Sequence, residues 1–99
     1  MEKFQVTEKY EGIKAERVFE AGKLTFSDLG MKIIKDRSFA FLLQGSLSVG
    51  ENLINANFIV SAFQNKINLT LTSETADKEM LSDFAERFME TLKSHLCEL

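Results

Sequence analysis

A chain of 99 residues, 44% hydrophobic and 27% charged, has the balance of one folded globular domain, too short for two cores and too apolar for a disordered or fibrous chain. Its 12 basic and 15 acidic residues leave a net charge of −3, so no global positive field is available to hold nucleic acid. A single cysteine, Cys97, excludes an internal disulfide and a cysteine-based metal site, and the absence of proline excludes PxxP ligands and slow prolyl isomerisation.

Phe4, Val6 and Tyr10 alternate with Lys3, Gln5, Thr7 and Lys9, which predicts a half-buried first strand. After Gly12 the period lengthens. Ala15, Val18, Phe19, Gly22, Phe26 and Leu29 recur at spacings of three and four, and Gly30 follows as a C-terminal cap, so a helix of about four turns is expected. From Met31 the two-residue period returns. Turns at Asp36-Arg37-Ser38, Gly50-Glu51 and Gln64-Asn65 divide this stretch into four strands of an antiparallel meander. They set Ile33 opposite Phe41, Leu47 opposite Ile54, Leu43 opposite Phe58, Val60 opposite Leu69 and Phe58 opposite Leu71. Each pair is apolar on apolar, and a one-residue slip would break that agreement. A second helix is expected from Ala76 to Cys97, capped by Thr75, with Met80 or Leu81, Phe84, Phe88, Leu92 and Leu96 as its buried stripe. The order is β-α-β-β-β-β-α, an α+β domain spanning residues 1–99.

Charge is unevenly placed along this order. Residues 1–37 hold eight basic and seven acidic groups and residues 74–99 hold three and seven, whereas the 36 residues between them hold only Glu51 and Lys66. The middle stretch is instead rich in Phe, Leu, Ile, Asn, Ser and Thr, the composition of adjacent strands.

This element order, with its Gly-terminated first helix, four-strand meander and long amphipathic last helix, resembles the TATA-binding-protein-like fold. The segment from Ala15 to Ile34, with Leu29-Gly30 between helix and returning strand, also resembles small bacterial domains of unknown function. The resemblance spans the chain, rests on element order without a diagnostic motif, and carries over no functional residue. It implies a curved five-stranded antiparallel sheet with both helices on one face and the other face free. The basic side chains that DNA-binding members place on the free face are expected to be missing here.

Alternation assigns the two faces of the middle strands. With Phe39, Phe41, Leu43, Leu47, Ile54, Phe58, Val60, Ile67, Leu69 and Leu71 turned toward the helices, the free face reads Ala40, Leu42, Gln44, Ser46 and Ser48, then Leu53, Asn55, Asn57, Ile59, Ser61 and Phe63, then Asn68, Thr70 and Thr72. Leu42 faces Ile59, with Ile34 a diagonal neighbour across Ala40. Three readings fit so few charges. The hydroxyls and amides wet a solvated face; a second copy or a protein partner covers it, since solvated sheets usually carry Lys and Glu; or a neutral polar ligand such as a sugar rests on Asn55, Asn57 and Asn68.

Chemistry-bearing constellations are sparse. His95 and Cys97 lie two positions apart on different sides of the last helix, and one histidine with one cysteine falls short of a zinc or haem site. The pairs Glu79 with Asp83 and Glu86 with Glu90 read as a solvated acidic face, compensated by Arg87 and Lys93. Gly45 opposite Ala56 leaves a thin spot under the helices. An empty pocket there of ~300 Å³, at ~24 cal/mol per Å³, would cost on the order of 7 kcal/mol, so Phe84, Phe88 or Phe19 is expected to fill it. No apolar leader opens the sequence and no run approaches the ~18 residues that span a bilayer, so a cytoplasmic protein with no membrane, nucleic-acid or cofactor partner is expected.

The sequence therefore points to a small non-enzymatic interaction domain, most simply a homodimer, using Ile34, Leu42, Leu53, Asn55, Asn57, Ile59 and Phe63 of the free face. The alternative is a module that binds a small apolar or neutral polar molecule, on that face or between the sheet and the C-terminal helix.

Overall fold

The computed structural model describes residues 1–98. Strand β1 (Glu2–Lys9) leads to helix α1 (Ala15–Asp28), and the chain then returns as β2 (Lys32–Arg37), β3 (Leu42–Val49), β4 (Asn52–Ser61) and β5 (Lys66–Ser73) before ending in α2 (Lys78–Glu98). The five strands form one sheet in the order β1-β5-β4-β3-β2, every neighbouring pair antiparallel. Both helices cover the same face. This is the α+β architecture that the patterning implies, and no helix among the described residues is long and apolar enough to cross a membrane.

Helix α1 ends where its sequence directs. Gly30 takes φ +73, the amide of Met31 donates to the Phe26 carbonyl at 2.9 Å and that of Gly30 to Ser27 at 3.1 Å, which satisfies two of the open carbonyls of the last turn. The start of α2 is built differently from expectation. Asp77 is the capping residue, its Oδ1 accepting from the Met80 amide at 2.8 Å, while Thr75 lies outside the helix. Buried Ser73 organises the approach: its hydroxyl donates to the Leu53 carbonyl at 2.7 Å and accepts from the Ala76 amide at 2.9 Å, tying the end of β5 to β4.

Three phenylalanines form the centre of the core. Phe26 of α1, Phe58 of β4 and Phe88 of α2 are fully buried with ring centroids 5.5–6.4 Å apart, so each layer contributes one ring. Gly22 brings α1 down onto the edge of the Phe58 ring. The thin spot at Gly45 is filled, but by Phe26 rather than by Phe84, Phe88 or Phe19: a Cβ on Gly45 would lie 2.6 Å from Phe26 Cε2.

The register of β3 with β4 is as expected, with Leu43 opposite Phe58 and Leu47 opposite Ile54. Between β4 and β5 the pairing is displaced by two residues. Val60 faces Ile67 and Phe58 faces Leu69, because the connection is a four-residue turn over 62–65 rather than a two-residue one. An even displacement keeps every side chain on its face, so the core assignment survives.

The first hairpin departs further. Ile33 faces Gly45 instead of Phe41, the strand bulges at Ile34, and the turn comprises a 3₁₀ segment at Ser38–Ala40 followed by Phe41 at φ +52. Phe39, assigned to the core by alternation, is consequently 86% exposed. Phe41 still packs on Phe19 with centroids 5.7 Å apart, and its carbonyl accepts from the Val60 amide at 3.0 Å. Those contacts hold a bulky residue in the left-handed region that it otherwise avoids.

Candidate interaction surface

The face of the sheet turned away from the helices is open. On β3 and β4 the structure brings together the residues that alternation selects: Leu42 pairs directly with Ile59, Gln44 with Asn57 and Ser46 with Asn55. Ile59 is 40% exposed and Leu53, opposite Ser48, is 48% exposed, so one apolar pair at one end of the ladder and a single leucine at the other bracket amides and hydroxyls. On β5 the face continues with Asn68, Thr70 and Thr72, and the Thr7 hydroxyl of β1 donates to Asn68 Oδ1 at 2.6 Å.

Three of the expected residues lie elsewhere. Ile34 sits in the β2 bulge without a ladder partner, and Ala40 belongs to the turn, so neither extends the Leu42–Ile59 patch. Phe63 lies beyond the end of β4, in the turn over 62–65, and projects there with 99% exposure.

The larger correction concerns charge. Cross-strand partners share a face, so the registers place Lys3 and Lys9 of β1, Lys66 of β5, and Lys32, Lys35 and Arg37 of β2 all on the open side. The three acidic strand residues, Glu2, Glu8 and Asp36, all fall on the helix side, opposite Ser73, Ile67 and Leu43. Only the middle of the open face is nearly uncharged. Its two edges are basic, and the basic groups expected to be missing are present. Lys3 and Lys9 were visible in the alternation of β1. The bulge conceals the β2 contribution, because it places Lys35 and Arg37 on the open face and Asp36 toward α1.

Asp36 there pairs with Lys23 of α1 at 3.0 Å and accepts from the Ser38 hydroxyl at 2.9 Å. The hydrogen bond from Lys23, then that from Ser38, holds the Asp36 carboxyl below its usual range, and the bond to Asp36 raises Lys23 in turn. Since the folded carboxyl titrates below the unfolded value of ~3.9, its stabilisation is present above that pH and is lost as pH falls through the folded value. Asp36→Asn should therefore melt below wild type at neutral pH, and the gap should close below about pH 4. A gap in Tm that persists at low pH would show that the ion pair is not its source.

The remaining candidate groups are engaged or dispersed. His95 Nε2 contacts Asp28 Oδ2 and links α2 to the end of α1, Cys97 is exposed, and Lys93 reaches across to Glu8 at 3.2 Å. Among the described residues no cluster of three or more His, Cys, Asp or Glu side chains could hold a metal ion. Between the sheet and α2 the surface has two open hollows. One, of about 350 Å³, lies beside Phe4, Val6 and Met89, and the other, of about 180 Å³, lies beside Leu47, Met80 and Phe84.

The hydroxyl of Tyr10 is buried without a hydrogen-bond partner in the protein. Burial, followed by the nearby Glu16 carboxylate, pushes its pKa up, which favours the neutral phenol. No protein-family model matches the chain, and no curated protein was found to be similar to it.

Proposed function

We propose that the chain is a non-catalytic interaction domain whose open sheet face docks on an anionic partner surface. The observation that carries this reading is the segregation of strand charge: six cations on the open side and three carboxylates on the other, in a protein whose net charge is −3. With strands about 4.8 Å apart, the two basic edges lie ~19 Å from each other and frame a neutral centre of Asn, Gln, Ser and Thr. Such a face attracts an acidic surface at long range and offers hydrogen bonds and the Leu42–Ile59 pair at contact.

Heparin-agarose supplies the simplest polyanion for a test. The protein should be retained at low salt despite its net charge and elute as salt rises, and Lys35→Glu/Arg37→Glu/Lys66→Glu should pass through. Passage of the wild-type protein at low salt would overturn the reading.

A symmetric homodimer is favoured by one observation, the pair of half-buried Leu42 with exposed Ile59 on the two middle strands of the face. It is opposed by the like charge that two stacked faces would bring together. Light scattering at high micromolar concentration separates the two: a dimeric mass that Ile59→Lys returns to one chain supports self-association, and a monomeric wild type removes it.

A further inference from the structure

The two most exposed aromatic side chains of the protein share one end of the sheet. Phe39 lies in the β2–β3 turn and Phe63 in the β4–β5 turn, 86% and 99% exposed, each beside an exposed alanine, Ala40 and Ala62. Both turns close the end at which Arg37 pairs with Leu42, Leu42 with Ile59, and Lys9 with Lys66. The turns flank the β3–β4 ladder, so their centres are two strand spacings, ~10 Å, apart. Two isolated apolar tips thus stand in front of Arg37, Lys66 and Lys9. The nearest strand carboxylates, Glu8 and Asp36, face the helices and are paired with Lys93 and Lys23. Glu11, exposed in the loop after β1, and Glu16 and Glu20, exposed on α1 beside Tyr10 and Lys23, are acids that remain nearby.

We infer that this end of the sheet docks on an anionic lipid surface, with Phe39 and Phe63 entering the headgroup boundary and Arg37, Lys66 and Lys9 meeting the lipid charge. The inference rests on the cationic face proposed above and adds an apolar anchor to it. A bilayer receives separate aromatic tips without matched pockets, whereas a protein partner would need two pockets at a fixed spacing. Stacking on nucleic-acid bases is disfavoured, because the open-face residues of β3, β4 and β5 include no aromatic ring and the two phenylalanines stand at the end of the sheet. Interfacial docking of this kind needs no spanning segment. Its strength scales with the apolar area immersed and with ~5-fold per cation held near an anionic surface.

Co-sedimentation with vesicles tests it. The full chain should bind phosphatidylcholine vesicles containing roughly a third phosphatidylserine, release them as salt rises, and bind pure phosphatidylcholine at least ~10-fold more weakly. Phe39→Ser/Phe63→Ser should lose at least ~10-fold in vesicle affinity while keeping its thermal melt and its retention on heparin. Wild type that fails to sediment with the anionic vesicles overturns the inference, as does a double variant that binds them like wild type. If heparin retention persists, the first outcome removes the lipid target alone and the second removes the aromatic anchor alone; if retention is absent from the start, the cationic-face reading falls with the inference.

Discussion

Truncating Phe58 to alanine is expected to remove about 3–5 kcal/mol of stability, a large share of the ~5–15 kcal/mol that holds a small domain together. Phe58 is the ring on which both helices rest, in contact with Phe26 of α1 and Phe88 of α2 and with no exposed surface. Its role is separable from bulk hydrophobicity through Gly22. An alanine in the interior of a helix normally gains about 1 kcal/mol over glycine, yet a Cβ on Gly22 would run into the Phe58 ring, with Cδ2 and Cζ both 2.9 Å away. Gly22→Ala should therefore destabilise the wild-type protein by about 1–3 kcal/mol, and in a Phe58→Leu background the same change should become neutral or favourable. Urea unfolding of the four proteins gives the coupling, expected to exceed ~1 kcal/mol. Additive effects would mean that the glycine is not there to admit the ring.

Gly45→Ala is the second large effect, expected near 2 kcal/mol, or a fall in Tm of about 8–16 °C. The added Cβ would meet Phe26 Cε2 at 2.6 Å and the carbonyl oxygen of Lys32 at 2.7 Å. A ring can swing aside, but a backbone carbonyl moves only with its strand. Loss of stability should therefore be accompanied by faster amide exchange in β2, while the β4–β5 ladder stays protected. A variant that melts and exchanges like wild type would contradict the close approach.

Much of this architecture was legible because strand and helix periods differ and because hairpin register has parity. Leu43 with Phe58 and Leu47 with Ile54 could be paired from the sequence, since any odd slip would have turned Leu or Phe outward. The helix stop at Leu29-Gly30 was legible for the same kind of reason, one residue type meeting one backbone need. Turn lengths were less so. Asn65 at φ +52 and the 3₁₀ segment at Ser38–Ala40 leave no unique mark in composition, and a two-residue change in the β4–β5 turn preserves faces and so goes unnoticed. The candidate site was half legible: Leu42, Asn55, Asn57 and Ile59 were placed correctly, whereas Ile34 and Phe63 were placed by extending alternation past the point where the strand holds it.

The bulge at Ile34 carries a consequence for how this surface is encoded. A straight β2 would turn Lys32 and Asp36 outward, a sum of zero, and send Lys35 and Arg37 toward α1; one extra residue in the strand instead turns out Lys32, Lys35 and Arg37, a sum of +3. The sign of this edge is thus a matter of backbone phase, independent of how many charges the chain contains. The same six residues paired without the bulge would lose the basic edge, whereas deleting the extra Ile34 would straighten the strand and still leave Lys32, Lys35 and Arg37 outward.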